Sequence, residues 1–416
     1  MRWLVVLTPA VLGVVSFALS PNADLRSSGL LAGVALSIVF VGVLLAMRKP
    51  WRGRSGWRAL AAVGLVVLVV AVGVVGLAEG VPTLLRERFG LLVSADDRGL
   101  LAVAPLDGGF VAVGHPETGA AWMSPDGVTW APVPLPSSID GLELRALVTA
   151  AGTLWTVAQD DTAAGLLAEI PGMDQDWVPG SRFAHEDHGQ QPNAAADFDG
   201  QLLTFGSTYG NDVIFFRGDP HGTLAPTGPE PAGDRGHSAE DLACSDAGCV
   251  AVGSQWEPAA AFWHTTDGRD WDRAQLDRNA VSATGVIATA DGWLAVGHAL
   301  DGSAVTWQSS DGRSWEQYPA LAVNEAEFDG VTVNGDVVTA YGRNTASDQV
   351  AMWTLAGDSW TQTEFTSPAG SRIRDVASHD GTIAAVGVRG DTLQAATWVS
   401  TAGSPFQLVT LEMQGP

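Results

Sequence analysis

A turn of the form Ser/Thr-x-Asp-Gly-x-x-Trp occurs three times in this 416-residue chain. In a tight turn between antiparallel strands, Gly supplies a positive φ and Asp accepts hydrogen bonds from nearby backbone N–H groups. The Trp that follows places a large apolar ring on the sheet. The repetition therefore predicts a repeat architecture. The motif residues are Ser124, Asp126, Gly127, Trp130, Thr265, Asp267, Gly268, Trp271, Ser309, Asp311, Gly312 and Trp315.

A second pattern, a short apolar strand ending in Gly or Ala, recurs seven times at intervals of about 45 residues, a period typical of four-stranded propeller blades. No helical periodicity interrupts residues 99–416, which we predict to form an all-β, seven-bladed β-propeller. We expect these second strands to lie near the crowded centre, buried on both faces. The seven copies begin at Phe110, Leu154, Leu202, Cys249, Trp293, Val337 and Ile383.

The turn motif resembles the Asp-box, or bacterial neuraminidase repeat, of sialidases, sortilin-type receptors and photosystem-assembly propellers. The resemblance covers about three quarters of the chain and implies a fold in which the motif is structural and lies away from the ligand face. Sialidase chemistry is not expected, because the Arg-Ile-Pro signature is missing and sialidases have six blades. The few candidate nucleophiles are Tyr209, Tyr318 and Tyr341. We therefore predict no catalytic residues and no cofactor.

The first 78 residues contain three uncharged apolar runs, 3–19, 29–47 and 59–78, each close to the length needed to cross a bilayer. The loop between the second and third runs carries five positive charges and no negative one, which predicts a cytoplasmic loop. Everything after residue 78 is then extracytoplasmic. The first run also has features of a signal peptide, which would leave the propeller on the same side. We predict that residues 79–98 form an amphipathic linker between the membrane segments and the propeller.

The acidic and basic residues are segregated along the chain. Seven of the 22 Lys and Arg residues precede residue 59, against one of the 46 acids, so the rest of the chain has a net charge of about −30. Such a surface repels nucleic acid. We expect a bacterial protein of the cell membrane, with the lipid bilayer and either a protein or an envelope polysaccharide as partners.

Only two cysteines are present, Cys244 and Cys249, and they flank a predicted hairpin turn. In an extracytoplasmic compartment this spacing predicts a disulfide across the turn.

The predicted ligand face is built from the loops that join second to third strands and from the connections between blades. Its candidate contacts are Glu117, Asp160, Asp161, Tyr209, Asp212, Trp256, Glu257, Asp301, Arg343 and Arg389. The loop residues His185, Glu186, Asp187 and His188 are weak candidates for a metal site. The predicted function is a non-catalytic binding or scaffold module. The alternatives are a hydrolase of cell-envelope glycans and an assembly factor for a membrane complex.

Overall fold

The computed structural model describes most of residues 99–416, and the predicted membrane segments and linker lie outside the described residues. No helix of the described part has the length and apolar character that crossing a bilayer requires. Within 99–416 the residues left undescribed are 117–119, 160–164, 173–175, 184–192, 208–212, 228–236, 256–258, 275, 277–279, 300, 319–322, 324, 365, 391–393, 402–403 and 412–416.

The described residues form seven antiparallel sheets, each of four strands in chain order, which confirms the predicted seven-bladed propeller. Blades 1 to 3 contain β1 (Leu100–Leu106), β2 (Gly109–Gly114), β3 (Ala121–Ser124) and β4 (Ala131–Pro132); β5 (Glu143–Ala150), β6 (Thr153–Gln159), β7 (Gly165–Ile170) and β8 (Val178–Phe183); and β9 (Ala195–Phe198), β10 (Gln201–Ser207), β11 (Val213–Gly218) and β12 (Leu224–Thr227). Blades 4 and 5 contain β13 (His237–Ser245), β14 (Gly248–Gln255), β15 (Ala259–Thr265) and β16 (Asp272–Arg273); and β17 (Ala280–Thr289), β18 (Gly292–Ala299), β19 (Ala304–Ser309) and β20 (Glu316–Gln317). Blades 6 and 7 contain β21 (Ala326–Asn334), β22 (Val337–Asn344), β23 (Gln349–Ala356) and β24 (Ser359–Glu364); and β25 (Arg372–His379), β26 (Thr382–Arg389), β27 (Gln394–Thr401) and β28 (Gln407–Thr410).

The first strand of each blade lines the centre of the ring. Each first strand packs against the first strand of the next blade, from β1 to β5 and onward until β25 returns to β1. The second strands, expected near the crowded centre, occupy the next position outward from the first strands. In blades 1, 4 and 5 they are buried on both faces over most of their length, as expected, since a neighbouring blade covers each side. Blade 7 takes all four of its described strands from its own repeat.

The hydrophobic core is divided into seven clusters, one at each interface between neighbouring blades. The tryptophans of the third strands are the largest side chains in it, and Trp263, Trp307 and Trp398 are no more than 1 % exposed. Small residues on the second strands, such as Ala251 and Ala295, let these rings fit between the sheets. The core therefore stabilises the contacts between blades as well as each blade.

The Asp-Gly-x-x-Trp turns join third to fourth strands and share one hydrogen-bonding pattern. The Asp311 carboxylate accepts the N–H groups of Arg313 at 2.8 Å and Ser314 at 2.9 Å, and the Ser309 hydroxyl accepts the Gly312 N–H at 2.8 Å. Gly312 has a φ of 73°. These bonds hold the pKa of the Asp311 carboxyl below its ordinary value. Asp267 accepts the corresponding bonds in blade 4, and Asp126 in blade 1.

Each of these turns also packs against the preceding blade. A Cβ atom on Gly312 would lie 2.6 Å from the His264 ring of blade 4, and one on Gly127 would meet Thr382 of blade 7. The motif tryptophans, expected in the core, divide into two groups. Trp271 and Trp315 are buried, whereas Trp130 is only partly buried against its cluster, as is Trp360 in the divergent Gly-Asp-Ser-Trp turn of blade 6.

The predicted disulfide joins Cys244, in β13, to Cys249, in β14. The two residues are paired directly across the hairpin, with their Cα atoms 4.1 Å apart. The bond therefore closes the turn that begins the second strand of blade 4.

Candidate functional site

The alternating strand directions give the ring two distinct faces. The turn face carries the hairpins that join first to second and third to fourth strands. The loop face carries the connections from second to third strands and between blades. Every first strand starts at the loop face, so its first residues surround that end of the central channel.

A β-bulge interrupts the first strand in six of the seven blades at the same position of the repeat. A bulge leaves one residue out of the hydrogen-bonded ladder and changes the direction of its side chain. In blade 3, β9 begins just after Asn193, whose amide oxygen accepts a 2.6 Å hydrogen bond from the blade 2 bulge residue Arg145. The bulge residues are Leu101, Arg145, Glu240, Thr284, Asp329 and Arg374.

Charged bulge residues from distant blades interact across the channel. Burial raises the pKa of Glu240, in blade 4, while Arg374 of blade 7 and Arg145 of blade 2 act in the opposite direction. These blades are not neighbours, so the three side chains converge toward the axis of the ring. Glu240 keeps an accessible surface although protein surrounds it, as expected for a side chain on a channel wall.

Two aspartates directly after the bulges connect neighbouring blades. Asp241 accepts the N–H of Val286 in blade 5 at 2.8 Å, and Asp375 accepts the N–H of Val103 in blade 1 at 2.9 Å. The second of these bonds joins the last blade to the first. Burial raises the pKa of Asp241 to about 6 and that of Asp375 to about 7. The hydrogen bonds from backbone N–H groups lower both pKa values, but by less than burial raises them.

An ion network lies at the loop-face end of blades 6 and 7. The Arg343 Nε atom is 2.6 Å from Glu327 Oε2, and its Nη1 atom is 3.0 Å from Asp348 Oδ1. Asp348 also accepts the Gly370 N–H at 2.9 Å and so ties the loop after β22 to the connection between blades 6 and 7. Although burial opposes ionisation, Arg343 and Arg372 hold the pKa of Glu327 below its ordinary value.

Asp329 lies on the same strand as Glu327, two residues further along the channel. Burial and the negative charge of Glu327 raise the pKa of Asp329 to about 6, while Arg372, Arg374 and Arg343 act in the opposite direction. Two buried atoms here, Asp329 Oδ2 and Arg372 Nη1, have no hydrogen-bond partner among the described residues. A buried polar atom in that state costs free energy, so its presence needs an explanation such as a ligand or a water molecule that supplies the missing bond. No three His, Cys, Asp or Glu side chains in the described part converge to hold a metal ion.

Of the predicted ligand-face residues, the described part contains Asp301, Arg343 and Arg389. Arg343 belongs to the ion network, where its guanidinium positions two loops. Asp301 is exposed and accepts the backbone N–H and hydroxyl of Ser303 within its own turn. Arg389 ends β26 at the same face. The other candidates lie outside the described residues: Glu117, Asp160, Asp161, Tyr209, Asp212, Trp256, Glu257, His185, Glu186, Asp187 and His188.

The sequence analysis did not identify the channel residues, because it searched the loops and not the first strands. The sequence does contain a signal, since Arg145, Glu240, Asp329 and Arg374 each follow directly after an apolar residue within a predicted first strand. Aligning the seven first strands on the turns that follow them would have put these charges at one position of the repeat. A charge at a recurrent strand position needs a bulge or a polar channel to be tolerated.

No family model matches this chain, and no curated protein matches it. Solved structures do resemble it. A structure of YCF48 bound to D1 peptide is 14 % identical, covers 71 % of this chain and 92 % of its own, and has a TM-score of 0.50. Virginiamycin B lyase from Staphylococcus aureus is 11 % identical, with coverages of 76 % and 96 % and a TM-score of 0.51. The WD40 propeller domain of Doa1 is 12 % identical, with coverages of 73 % and 94 % and a TM-score of 0.50. At these identities the likeness shows the fold alone, and this chain is a seven-bladed β-propeller.

Proposed function

We propose that this chain is a membrane-anchored, extracytoplasmic propeller that serves as a non-catalytic binding module for a protein or envelope ligand. The ligand binds at the loop face, over the central channel. The observation that carries this proposal is the convergence of Arg145, Glu240, Asp329 and Arg374 on the channel from four different blades. Three apolar N-terminal runs and an arginine-rich loop support the anchoring.

Recognition at this face is polar. The large apolar side chains that are exposed in the described part are Val128, Val178, Val333 and Val337, and all four lie in or beside turn-face connections. An apolar docking patch of several hundred Å² therefore does not account for binding by the described part of the loop face. The charged channel provides specificity instead, because buried charges discriminate strongly against ligands that leave them unpaired.

Membership of the Asp-box family is part of this proposal and is supported by the three matching turns. The structure of YCF48 with a bound D1 peptide supports a peptide-binding role for a ring of this kind. An assembly factor for a membrane complex is the related alternative, and Gly64, Gly73 and Gly76 in the third apolar run would suit helix pairing.

Hydrolysis of an envelope glycan is the second candidate. It is favoured by the raised pKa of Glu240, because a general acid must stay protonated near the working pH. It needs a second carboxylate positioned across the scissile bond. The paired arginines around Glu240 favour binding over acid catalysis, since each stabilises the ionised form.

The test uses the full chain in its own membrane, solubilised in a mild detergent and pulled down with its neighbours. We expect a stoichiometric protein or polysaccharide to be recovered with the wild type and lost with the double variant Glu240→Gln/Arg374→Gln. The matched control is Arg269→Gln, an exposed arginine of the turn face. Turnover of a glycan panel by the wild type but not by Glu240→Gln would replace binding with hydrolysis.

The topology is tested separately by adding protease to intact cells. We expect the propeller to be digested while the loop 48–58 stays protected. Cleavage of that loop, with the propeller intact, would reverse the proposed orientation.

A further inference from the structure

Two buried polar atoms of opposite character lie on adjacent blades of the channel. Asp329 Oδ2, on β21, is an acceptor, and Arg372 Nη1, on β25, is a donor; neither has a hydrogen-bond partner among the described residues. β21 and β25 pack directly against each other, which brings the two side chains into one part of the channel, and the charge of Arg372 acts on the pKa of Asp329. A site with both an unpaired acceptor and an unpaired donor selects a ligand that supplies the complement of each.

Several neighbouring charged groups already have partners within the protein. Arg343 holds Glu327 and Asp348, Arg145 lies 3.2 Å from Glu143, and the Asp375 carboxylate accepts two backbone N–H groups. Among the described residues of blades 6 and 7, the Asp329 carboxylate and the Arg372 guanidinium each keep a buried atom with an open hydrogen-bonding position. A purely anionic ligand would meet the unpaired Asp329, and a purely cationic ligand would meet Arg372. Like-charge contacts of this kind are strongly unfavourable at a desolvated site.

We infer that this part of the channel binds an α-amino carboxylate group, with the ammonium on Asp329 and the carboxylate on Arg372. The inference rests on the proposed binding function and names the chemical class of the ligand. Guanidinium–carboxylate pairing is directional and bidentate, which orients the group, while the ammonium is held as a point charge. Such a group occurs on free amino acids and at the side-chain end of diamino acids within peptides.

Arg343 acts here as a positioning residue. Its bonds to Glu327 and Asp348 fix the strand that carries Asp329 relative to the connection that precedes Arg372. Arg343 also holds the Glu327 carboxylate in an ion pair. Glu327 therefore competes less with the ligand carboxylate for Arg372.

The experiment measures binding to the full chain in detergent by calorimetry. The probes are L-alanine, D-alanine, meso-diaminopimelate and an acylated peptide whose diamino-acid side chain ends in a free α-amino carboxylate. N-acetylalanine lacks the ammonium and alaninamide lacks the carboxylate. We expect at least one zwitterionic probe to bind with one-to-one stoichiometry, and both blocked analogues to bind at least about tenfold more weakly. Binding of the peptide alone would assign the group to a wall peptide, and binding of alanine would assign it to a free amino acid.

The variants are Asp329→Asn and Arg372→Gln, each expected to weaken binding at least about tenfold. Their matched controls are Asp336→Asn, in the turn-face hairpin of the same blade, and Arg269→Gln, both expected to bind like the wild type. Thermal unfolding of each variant without ligand separates loss of binding from loss of folding.

Failure of every zwitterionic probe, equal binding of the blocked analogues, or preferential binding of a neutral sugar such as N-acetylglucosamine would overturn the inference. The proposed function fails differently, because it depends on recovery of a partner in the pull-down. A partner that is recovered while no zwitterion binds would leave the binding function in place and remove this ligand class.

Discussion

At the scale of single residues, the glycine of each Asp-Gly-x-x-Trp turn is required for two reasons, its positive φ and its close contact with the preceding blade. Gly312 adopts a φ of 73°, which residues with a Cβ atom rarely adopt, and it lies against His264 and Val250 of the preceding blade. The turn therefore closes a hairpin and seals the interface between two blades. The burial of His264, together with the nearby Arg313, lowers the pKa of that histidine, so it packs as a neutral ring.

We expect Gly312→Ala to destabilise the protein by about 2–4 kcal/mol, combining the strain of a positive φ with overpacking against His264. The control is Gly335→Ala, at a φ of 58° in a hairpin where an added Cβ meets open space. It keeps only the backbone strain, about 1–2 kcal/mol. Denaturant unfolding of both variants measures the difference. Equal losses would show that the contact between blades contributes nothing.

At the scale of elements, the hairpin of β13 and β14 carries different chemistry at its two ends. Its loop-face end holds the bulge that directs Glu240 into the channel and places Asp241 against blade 5. Its turn-face end holds the disulfide. A bulged strand pairs less regularly than a straight one, so the covalent closure at the opposite end helps to keep the register that positions both carboxylates.

Replacing both cysteines by serine leaves no free thiol and removes the constraint on the unfolded chain. For so short a loop we expect a loss of about 2 kcal/mol in the free energy of unfolding. Chemical denaturation measures it, and reduction of the wild type should produce a similar change. A double variant as stable as the oxidised wild type would contradict a stabilising role.

At the scale of the whole molecule, hydrogen bonds from side chains to backbone groups join neighbouring blades, and the bond of Asp375 closes the ring. Asp375 joins blade 7 to blade 1, Asp241 joins blade 4 to blade 5, and the Tyr341 hydroxyl donates to the Arg374 carbonyl between blades 6 and 7. The two carboxyl groups are buried at these junctions, so their ionisation is linked to the stability of the whole ring.

We expect the free energy of unfolding to fall as pH rises from about 4 to about 7. Asp241, Asp329 and Asp375 have pKa values of about 6, 6 and 7 in the folded protein, against 3.8 as the ordinary value. Between pH 4 and pH 7 the folded state therefore binds more protons than the unfolded state. The stabilisation that the three protonated aspartates provide is complete below pH 3.8 and is lost above their folded pKa values. Denaturant unfolding between pH 4 and pH 8 measures the slope, and Asp375→Asn should reduce it.

The wild-type slope also contains the opposite contributions of His264 and Glu327, whose pKa values are lowered. An Asp375→Asn variant with the same slope as the wild type would therefore contradict the raised pKa of Asp375. Below about pH 4 the trend reverses, because Asp267 and Asp311 have lowered pKa values and their turns lose stability once these carboxyl groups are protonated.

The fold could be predicted from the sequence because its determinants are local. The hairpin chemistry of Asp126, Asp267 and Asp311 and the recurring second strands each occupy only a few consecutive residues, and their period alone gives the number of blades. The disulfide could also be predicted from a local pattern, since its two cysteines face each other across one turn.

The channel depends on the tertiary structure alone. Arg145, Glu240 and Arg374 are far apart in the chain, and they meet only because seven first strands close into a ring and a bulge directs each side chain inward. The same closure brings Asp375 to Val103. Sequence periodicity determines how many sheets there are and which residues turn between them. Which charges face one another, and with what pKa, is decided by burial and by neighbours that no local pattern specifies.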